Sequence, residues 1–505
     1  MVDVLRSTGR LIGRHWLLSA LVLAGVVLRV LAWFAYQPAL LFIDSFRYLG
    51  NLYEFDPSGL NPIGYELFVL TPVLAVGGLE LVTAIQHLAG VLSAVALAAL
   101  ALRHGVNRWW AAVAAAPLLL DGYQIQIEQL IMSDAWQQVL LVALLWVLLG
   151  TGAPNPRRAA LAGLLVGMAV MLRLVALALV VPILGYLLIA GGAWRLLRTR
   201  VGWRTIGART AAFALACAAV LMGYATYFQA ETGQWGLTRT TSQVLFGRAA
   251  VIADCDTLEL DDLLERACPT EPLGERRRLD DYAHIQREKG FRVRFPSGTD
   301  LYEVQREFGW TVIAQQPLDF AAAVAVDFGK GFRPTRIDAD GDVPVSRWQF
   351  QLEYPNADKD LTKRVARKFS GQDPETVRGL ASFLRGYQLS VGYTPGPLLA
   401  VFGVIALLAG LGVGRARRSG IRSAILLALG MALTMLLLSA AFEFSWRYQL
   451  PALVLLPFAG VLGITAIWRR PPAAPPLPGA QDWLWRRPFS WSAGVPVSRR
   501  RSRRR

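Results

Sequence analysis

Two carboxylates stand in apolar surroundings, where a charged side chain is costly. Asp44 lies in the segment LFIDSFRYLG, and Asp134 lies in QLIMSDAW. Because burial favours the neutral form of a carboxyl group, Asp44 can have a raised pKa and serve as a base. Asp134 has a structural alternative, since Ser133 and Asp134 are both residue types that cap helix N-termini. The sequence therefore offers Asp44 as a catalytic carboxylate and Asp134 as a catalytic residue or a helix cap.

Four arginines form a second candidate group, because they remain after the cations of the inner loops and of the polar central segment are set aside. They are Arg29, Arg47, Arg173 and Arg447. A charged side chain at membrane depth costs about 3 kcal/mol or more unless it is paired, so each arginine is a functional candidate. Snorkelling or a structural ion pair is the alternative for Arg29 and Arg447. Glu443 has the i,i+4 spacing that would pair it with Arg447 on a helix.

Signatures of metal and nucleotide binding are missing from the sequence. The histidines are dispersed, and no Cys or His cluster has metal-ligand spacing; they stand at His15, His87, His104 and His284. The sequence has no P-loop, no GxGxxG after a strand and no GxSxG. Nucleotide-driven chemistry is therefore unsupported, no metal ligands are predicted, and a divalent cation is left open.

The chain that positions these residues is apolar over most of its 505 residues. Hydrophobic residues make up 54% of it and charged residues only 17%, where a soluble protein carries about a quarter. Because a membrane-spanning helix needs about 20 apolar residues, the recurring apolar runs predict an all-α polytopic membrane protein. We predict about ten transmembrane helices, near 16–36, 81–102, 109–120, 135–150, 159–171, 174–190, 211–228, 395–413, 423–441 and 450–467.

The charges orient these helices. The net charge is +16, and with the N-terminus inside, 26 of the 52 Lys and Arg residues fall on inner segments beside only two acids. This distribution follows the positive-inside bias of short loops. A single tilted helix across 159–190, interrupted at Arg173, is the alternative, but it would place five arginines of 195–209 outside.

Between residues 229 and 392 the hydropathy falls, and 25 of the 36 acids gather there beside 22 cations. We predict that this segment is a mainly helical soluble domain outside the membrane. It divides the membrane region into an N-terminal part, residues 1–228 with about seven spans, and a C-terminal part, residues 393–468 with about three. Cys255 and Cys268 both lie in the outer segment, where an oxidising exterior favours a disulfide; two buried free thiols are the alternative.

The remaining residues, 469–505, are rich in Pro and Arg and cannot build a core. We predict a disordered cytoplasmic tail. Its tryptophans and arginines suit an anionic inner leaflet, although a solvated tail is the simplest interpretation. Nucleic-acid binding is not expected, because no fold presents the arginines.

The candidate residues stand in an order that resembles the GT-C superfamily of membrane glycosyltransferases, which use polyprenyl-phosphate sugars and include protein O-mannosyltransferases and the aminoarabinose transferases of lipid A. The resemblance covers residues 1–230 well and 390–468 loosely. One departure concerns the first-loop motif, which is commonly a pair of adjacent acids, whereas Ser45 follows Asp44 here. The resemblance rests on Arg29, the stretch Asp44 to Tyr48, the segment NPIGYELF, Asp134, the run GLLVGMAVMLR that ends at Arg173, and RYQLP at 447–451.

The resemblance implies a GT-C-like fold and inverting transfer of a sugar from a polyprenyl-phosphate donor to a hydroxyl acceptor. Asp44 would deprotonate or orient the acceptor hydroxyl, and Asp134 would position the acceptor. Phosphate binding by guanidinium groups agrees with this chemistry, because Arg binds phosphate bidentately. The resemblance assigns the donor phosphate to Arg447, Arg173, Arg47 and Arg29, and substrate contacts to Tyr48, Tyr65, Glu128 and Tyr448.

The implied partners are the lipid-linked donor, the bilayer and an unidentified acceptor outside a bacterial plasma membrane, on the side that the active site faces. A transporter or flippase of lipid-linked sugars is the alternative function, in which the arginines would bind rather than catalyse. A scaffold that displays the outer segment is a third interpretation, but it leaves Asp44 in its apolar setting unexplained.

Overall fold

A computed structural model describes residues 13–59, 61–190, 200–338 and 342–468. The described chain is mostly helical, with only two short strands. In chain order its α-helices are α1 Trp16–Ala35, α2 Ile43–Gly50, α3 Thr71–Leu74, α4 Leu79–Arg103, α5 Arg108–Leu120, α6 Gly122–Gln129, α7 Asp134–Leu149, α8 Pro156–Leu172, α9 Val180–Ile189, α10 Arg200–Thr232, α11 Thr240–Ile252, α12 Asp262–Glu265, α13 Leu279–Ala283, α14 Lys289–Arg292, α15 Leu301–Gln315, α16 Pro317–Lys330, α17 Asp360–Ser370, α18 Arg378–Ser390, α19 Gly396–Leu411, α20 Arg422–Phe442 and α21 Leu450–Trp468.

Shorter elements join these helices. A π-helical turn covers Glu66–Leu70, and 3₁₀ turns cover Leu174–Leu179, Ile285–Arg287, Val345–Trp348, Gly414–Arg418 and Trp446–Gln449. Two short strands, β1 Tyr36–Gln37 and β2 Glu375–Thr376, pair antiparallel with Tyr36 opposite Thr376. This pairing ties the end of the first apolar helix to the far end of the outer segment.

Each of the ten predicted apolar runs falls on helical structure, because a long apolar segment satisfies its own backbone hydrogen bonds only as a helix. Within the described ranges, five helices are long and apolar enough to cross a membrane: Trp16–Ala35, Leu79–Arg103, Gly202–Thr232, Arg422–Phe442 and Trp446–Trp468. The other predicted runs form shorter helices, and their crossing of the membrane stays a prediction.

Helical segments lie on both sides of Arg173, and whether they cross the membrane as one span or as two stays a prediction. Asn155 begins α8 by accepting a hydrogen bond from the Arg158 backbone N–H, with Pro156 at the first helical position. The helix ends at Leu172, and the extended backbone of Arg173 (φ −154°, ψ 124°) leads into the following 3₁₀ turn. The predicted interruption at Arg173 is therefore present.

The outer segment packs in two different ways. Its first half has an aromatic core of its own, built around Phe246, Phe291 and Phe308 from α11, α14 and α15. Its second half joins the main core of the membrane helices through Trp348, Phe350 and other buried side chains. The described residues before Arg469 group into one compact unit, so the outer segment does not separate from the membrane region along its whole length.

A disulfide bond joins Cys255 and Cys268 in the first half of the outer segment, as predicted, with their Cα atoms 6.3 Å apart. Cys217 is free and buried. The tail predicted for 469–505 lies outside the described residues.

Candidate functional site

Arg447 and Asp44 meet in an ion pair. Arg447 lies on the 3₁₀ turn between α20 and α21, where extended residues Glu443 and Ser445 end the preceding helix. Asp44 lies in the first turn of α2. The Arg447 Nη1 atom donates to Asp44 Oδ2 at 2.7 Å, and the two side chains are only 10% and 17% exposed. The segment before the last long helix and the loop after the first one therefore meet at this pair.

Asp134 and Arg173 extend the pair into a network. Asp134 opens α7, and its Oδ2 accepts a hydrogen bond from Arg173 Nη1 at 2.8 Å. Its Oδ1 lies 3.7 Å from the Nε of Arg447. Both acids thus face Arg447, and Asp134 holds Arg173 beside it. The cap interpretation of this part of the sequence is not supported, since Ser133 makes no side-chain cap hydrogen bond to α7.

Arg47 completes the network at its outer rim. Its Nη1 donates to Asp44 Oδ1 at 3.1 Å from one turn along α2, and its side chain is 36% exposed. Asp44 therefore receives hydrogen bonds from two guanidinium groups, one on each oxygen atom.

The ion pairs of Asp44 overturn the expectation of a raised pKa. Burial of this carboxyl does favour its neutral form, but the charge of the Arg447 guanidinium, its hydrogen bond and the nearby Arg47 hold the pKa of Asp44 below its ordinary value. Burial alone would raise the pKa of this carboxyl, whereas nearby opposite charges act in the other direction. In this arrangement Asp44 is an anion that also orients Arg447.

Aromatic rings enclose the guanidinium groups. The Arg447 Cζ atom lies 4.9 Å from the ring centre of Trp348 and 5.2 Å from that of Tyr448. Arg173 also lies over Tyr448, at 5.2 Å. Planar guanidinium groups stack on such rings, so the rings fix their orientation. Trp348 was not among the predicted site residues, because no local pattern in the sequence connects it with residue 447.

Glu443 does not pair with Arg447 in the way that i,i+4 spacing suggested. The spacing applies to a helix, and the backbone at Glu443 is extended (φ −155°, ψ 146°). Its Oε2 instead accepts a hydrogen bond from the Tyr448 hydroxyl at 3.5 Å. Glu443 lies between the long helices, and burial, together with nearby Asp280, raises its pKa to about 7.

A cavity of about 770 Å³ opens beside Arg173, Glu443 and Tyr448. Part of its wall is apolar and comes from the ends of apolar helices and the turn after Arg173: Leu174, Val175, Leu177, Phe228, Leu438 and Phe442. Another part comes from the outer segment and contains Arg239, Tyr302 and Trp310. An apolar wall that leads to cationic groups suits an amphiphile with an anionic head group.

Tyr48 and Tyr65 lie behind the network. The Tyr48 hydroxyl is 3.0 Å from the hydroxyl of Ser133, and the Tyr65 hydroxyl donates to Gln86 Oε1 at 2.8 Å. The two rings pack edge to face at 4.9 Å and are fully buried. Because Ser133 precedes Asp134, the tyrosines support the position of that acid.

Arg29 and Glu128 form a separate buried cluster. The Nε of Arg29 lies 2.7 Å from Glu128 Oε2, and its other donors reach Glu128 Oε1 and the carbonyl oxygens of Gly25, Leu118 and Leu119. The imidazole of His87 also contacts Glu128, at 3.0 Å. All five N–H groups of Arg29 donate hydrogen bonds within the protein, so Arg29 forms the structural ion pair that was the alternative to phosphate binding. The structure does not bring Arg29 and Glu128 to Arg447.

Among the residues that the structure describes, no group of three His, Cys, Asp or Glu side chains has the geometry of a metal site. The positive charges of the network come from Arg47, Arg173 and Arg447.

Comparisons with known proteins returned distant structures. No protein-family model and no curated protein matches the chain. The oligosaccharyltransferase of Archaeoglobus fulgidus, in complex with Zn and sulfate, is 13% identical at a TM-score of 0.43, covering 89% of this chain and 49% of its own. A second structure, AglB of the same organism with an inhibitory peptide and a dolichol-phosphate, is 14% identical at a TM-score of 0.44, and the match covers 90% of this chain and 50% of AglB. ArnT from Cupriavidus metallidurans, bound to undecaprenyl phosphate, is 15% identical at a TM-score of 0.27, and the match covers 88% of this chain and 78% of ArnT.

These structures, an archaeal oligosaccharyltransferase and ArnT, are distant likenesses of the chain, and the resemblance to the GT-C superfamily rests on the sequence motifs. The chain spans about half the length of the archaeal oligosaccharyltransferase, 49% in one comparison. With TM-scores below 0.5, the likeness carries no argument about activity, and the function proposed below rests on the site itself.

Proposed function

We propose that this multi-pass membrane protein transfers a sugar from a polyprenyl-phosphate donor to a hydroxyl group outside the membrane, with inversion at the anomeric carbon. The observation that supports the proposal most directly is the position of Arg447. It is held between Asp44 and Asp134 and enclosed by Trp348 and Tyr448, and its neighbours Arg173 and Tyr448 line the cavity with the apolar wall.

The donor phosphate would bind Arg447 and Arg173. Among the described residues, the Nε of Arg447 is a buried donor without a hydrogen-bond partner, and an unmatched buried donor costs free energy that an incoming acceptor recovers. A phosphate oxygen supplies that acceptor, and the planar guanidinium group binds phosphate at two points. The polyprenyl chain would lie along the apolar wall that contains Leu174 and Leu438.

Asp44 would then act on the acceptor. A phosphate that binds Arg447 competes with Asp44 for the guanidinium group, which weakens the interaction that lowers the carboxyl pKa. Asp44 takes the proton of the acceptor hydroxyl as its oxygen bonds to the anomeric carbon. The bond from that carbon to the phosphate oxygen breaks on the opposite face, and the polyprenyl phosphate leaves with the electron pair.

Charge stabilisation accounts for the other groups. Arg447 and Arg173 stabilise the negative charge on the departing phosphate. Asp134 holds Arg173 by the 2.8 Å contact and positions the acceptor. Arg47, exposed at the rim, would help attract the donor phosphate. We propose that this site faces the exterior of a bacterial plasma membrane, in agreement with the charge distribution of the loops.

A transporter or flippase of lipid-linked sugars is the second candidate. It requires polar groups along a path through the membrane. The Asp44 network instead lies at the ends of helices, on α2, at the start of α7, after α8 and before α21. Arg29 and Glu128 supply polar groups elsewhere, but they bond to each other and to neighbouring groups of the protein. This arrangement at the helix ends favours glycosyl transfer over transport of the lipid-linked sugar.

The test uses purified protein, undecaprenyl-phosphate sugars and a panel of hydroxyl acceptors in detergent. Formation of undecaprenyl phosphate together with a glycosylated acceptor supports the proposal. Arg447→Ala should abolish the reaction, whereas Arg277→Ala, which removes ion pairs with Glu271 and Glu288 in the outer segment, should not. Binding and movement of the donor across vesicles, without chemistry, would instead identify the transporter.

A further inference from the structure

Lysine is rare in this chain and is concentrated in one helix. Of the 52 Lys and Arg residues only five are Lys, and three of these, Lys359, Lys363 and Lys368, lie on or next to α17. Arg364 and Arg367 lie on the same helix. The helix contains one acid, Asp360, in its first turn. The helix therefore carries a net positive charge.

The attachments of α17 place it where two membrane helices end. At its C-terminus, the Ser370 hydroxyl accepts a hydrogen bond from the backbone N–H of Leu79, the first residue of α4, at 2.9 Å. A few residues later, β2 pairs with β1, which directly follows α1. Both α1 and α4 are among the helices long enough to cross a membrane. The helix α17 is thus fastened next to the first residue of α4 and the last residue of α1.

One face of α17 is packed and the other is exposed. Thr362 and Ala366 are buried, and Val365 and Phe369 pack against the core that contains Leu79. Leu361 is 48% exposed beside the exposed cations Arg364 and Lys368. On the segment that leads into α4, Val76 is 79% exposed. Exposed apolar side chains beside cations are typical of helices that lie in a membrane interface.

Part of the charge is already neutralised. Arg367 forms an exposed ion pair with Asp373, with Nε and Oδ1 2.6 Å apart. The Nζ of Lys368 lies 5.0 Å from the ring of Phe369, a contact that leaves its charge in place. Lys363, Arg364 and Lys368 therefore supply the charge available to a partner.

We propose that α17 is an interfacial helix whose basic face binds the head groups of anionic phospholipids in the outer leaflet, with Leu361 in contact with the acyl boundary. The inference does not depend on the glycosyl transfer proposed above. It depends on the fastening of the helix to the ends of α1 and α4, on its charge and on the exposed apolar residues. Each basic residue near an anionic membrane surface contributes about 1 kcal/mol, and the phosphate groups of the lipids supply the complementary charge.

The experiment measures lipid binding to the full-length protein in detergent. Phosphatidylglycerol or phosphatidylcholine is titrated in, and native mass spectrometry records how many lipid molecules each protein retains. The wild type should prefer phosphatidylglycerol. The variant Lys363→Gln/Lys368→Gln should bind it roughly thirtyfold more weakly, with phosphatidylcholine unaffected. Higher salt should weaken the preference, because it screens exposed charges.

Two further variants control for charge and for folding. Arg287→Gln/Lys289→Gln removes the same charge from exposed positions in the outer segment and should leave the preference intact. Lys363→Arg/Lys368→Arg should restore binding in the test pair. No preference for phosphatidylglycerol in the wild type, or an equal loss in both Gln variants, would overturn the proposal. Because donor turnover is not measured, failure here leaves the proposed transferase unaffected.

Discussion

The guanidinium group of Arg447 donates to the carboxylate of Asp44 at 2.7 Å, although the two residues are 403 positions apart. The contact brings the first outer loop and the turn before α21 together. It also explains why Asp44 is held as an anion, and it defines the point at which a phosphate would compete for the arginine. Most of the predictions below concern this pair and its neighbours.

The Asp44→Asn variant tests the catalytic carboxylate. The change keeps the size of the side chain and removes the base, and positioned proton transfer typically contributes 10²- to 10⁴-fold. We expect an inserted, stable protein that still binds the polyprenyl-phosphate sugar and transfers it at least about a hundredfold more slowly. The initial rate of undecaprenyl phosphate formation measures the effect.

The Asp134→Asn variant is the matched comparison for Asp44→Asn. We expect a smaller loss, because Asp134 acts through Arg173 and the acceptor position. Full transfer by Asp44→Asn would refute the mechanism. A larger loss at Asp134 than at Asp44 would exchange the two roles.

Arg447 variants separate charge from geometry. Arg447→Lys keeps the charge but loses the planar fork and its stacking on Trp348, so we expect transfer to fall by about tenfold or more. Arg447→Ala should be worse, because it also leaves Asp44 and Asp134 without their common partner. Donor binding and rate are measured separately. If Arg447→Ala lowers only the thermal stability, the residue is a structural partner of the acids.

Glu443 should make stability depend on pH in a particular direction. Burial raises the pKa of this carboxyl to about 7, with nearby Asp280 and Asp44 acting in the same direction and Arg447 and Arg248 against it. In the unfolded chain the pKa is about 4.3. Between these pH values the folded protein holds a proton that the unfolded chain has released, so stability should fall as the pH rises from about 4 to about 7.

Glu443→Gln removes this titration. The apparent thermal midpoint of the variant, measured at one scan rate across this pH range, should change less steeply than that of the wild type. Glu353→Gln, at an exposed position, serves as the control. The same slope in Glu443→Gln as in the wild type would contradict the raised pKa.

The disulfide between Cys255 and Cys268 should be detectable by thiol labelling. Alkylation of unreduced, denatured protein should modify only Cys217, and reduction should expose the other two thiols. In the chain-entropy model, closing a loop with a sequence separation of 13 stabilises a domain by roughly 3 kcal/mol. The Cys255→Ser/Cys268→Ser variant should therefore unfold at a lower temperature. Labelling of all three thiols before reduction would show that the disulfide does not form.

Topology can be tested at a position that the structure describes. Gly298 lies in an exposed turn of the outer segment with a left-handed backbone (φ +86°), where an insertion disturbs little packing. A reporter enzyme placed there should be active outside the membrane. A reporter between Gly105 and Asn107, in the predicted inner loop after α4, should be active inside, and the reversed pattern would contradict the proposed orientation.

Local pattern was enough to predict the helices. Apolar runs and the polar residues between them predicted each long helix, and the interruption at Arg173 followed from a cation within an apolar stretch. The disulfide followed from two cysteines in one outer segment. These predictions depend on residues close together in the sequence.

Long-range contacts account for what the sequence did not reveal. Glu128 was interpreted as a substrate contact, but it faces Arg29 from 99 positions away. The pKa of Asp44 was expected to rise, because its burial was visible in the sequence and its arginine partner was not. Trp348 was missed for the same reason, since nothing local indicates that a loop tryptophan lies over Arg447.

The β1–β2 pairing and the Asp44–Arg447 contact also have a consequence for biosynthesis. During translation, Asp44 and Asp134 emerge long before the turn that carries Arg447. Tyr36 likewise emerges long before Thr376, its partner in the strand pairing. The nascent chain thus holds two acids without their shared cation until α21 has left the ribosome. Assembly of the centre is consequently a late event, and separate expression of residues 1–392 and 393–505 in one cell should allow the two fragments to complement each other.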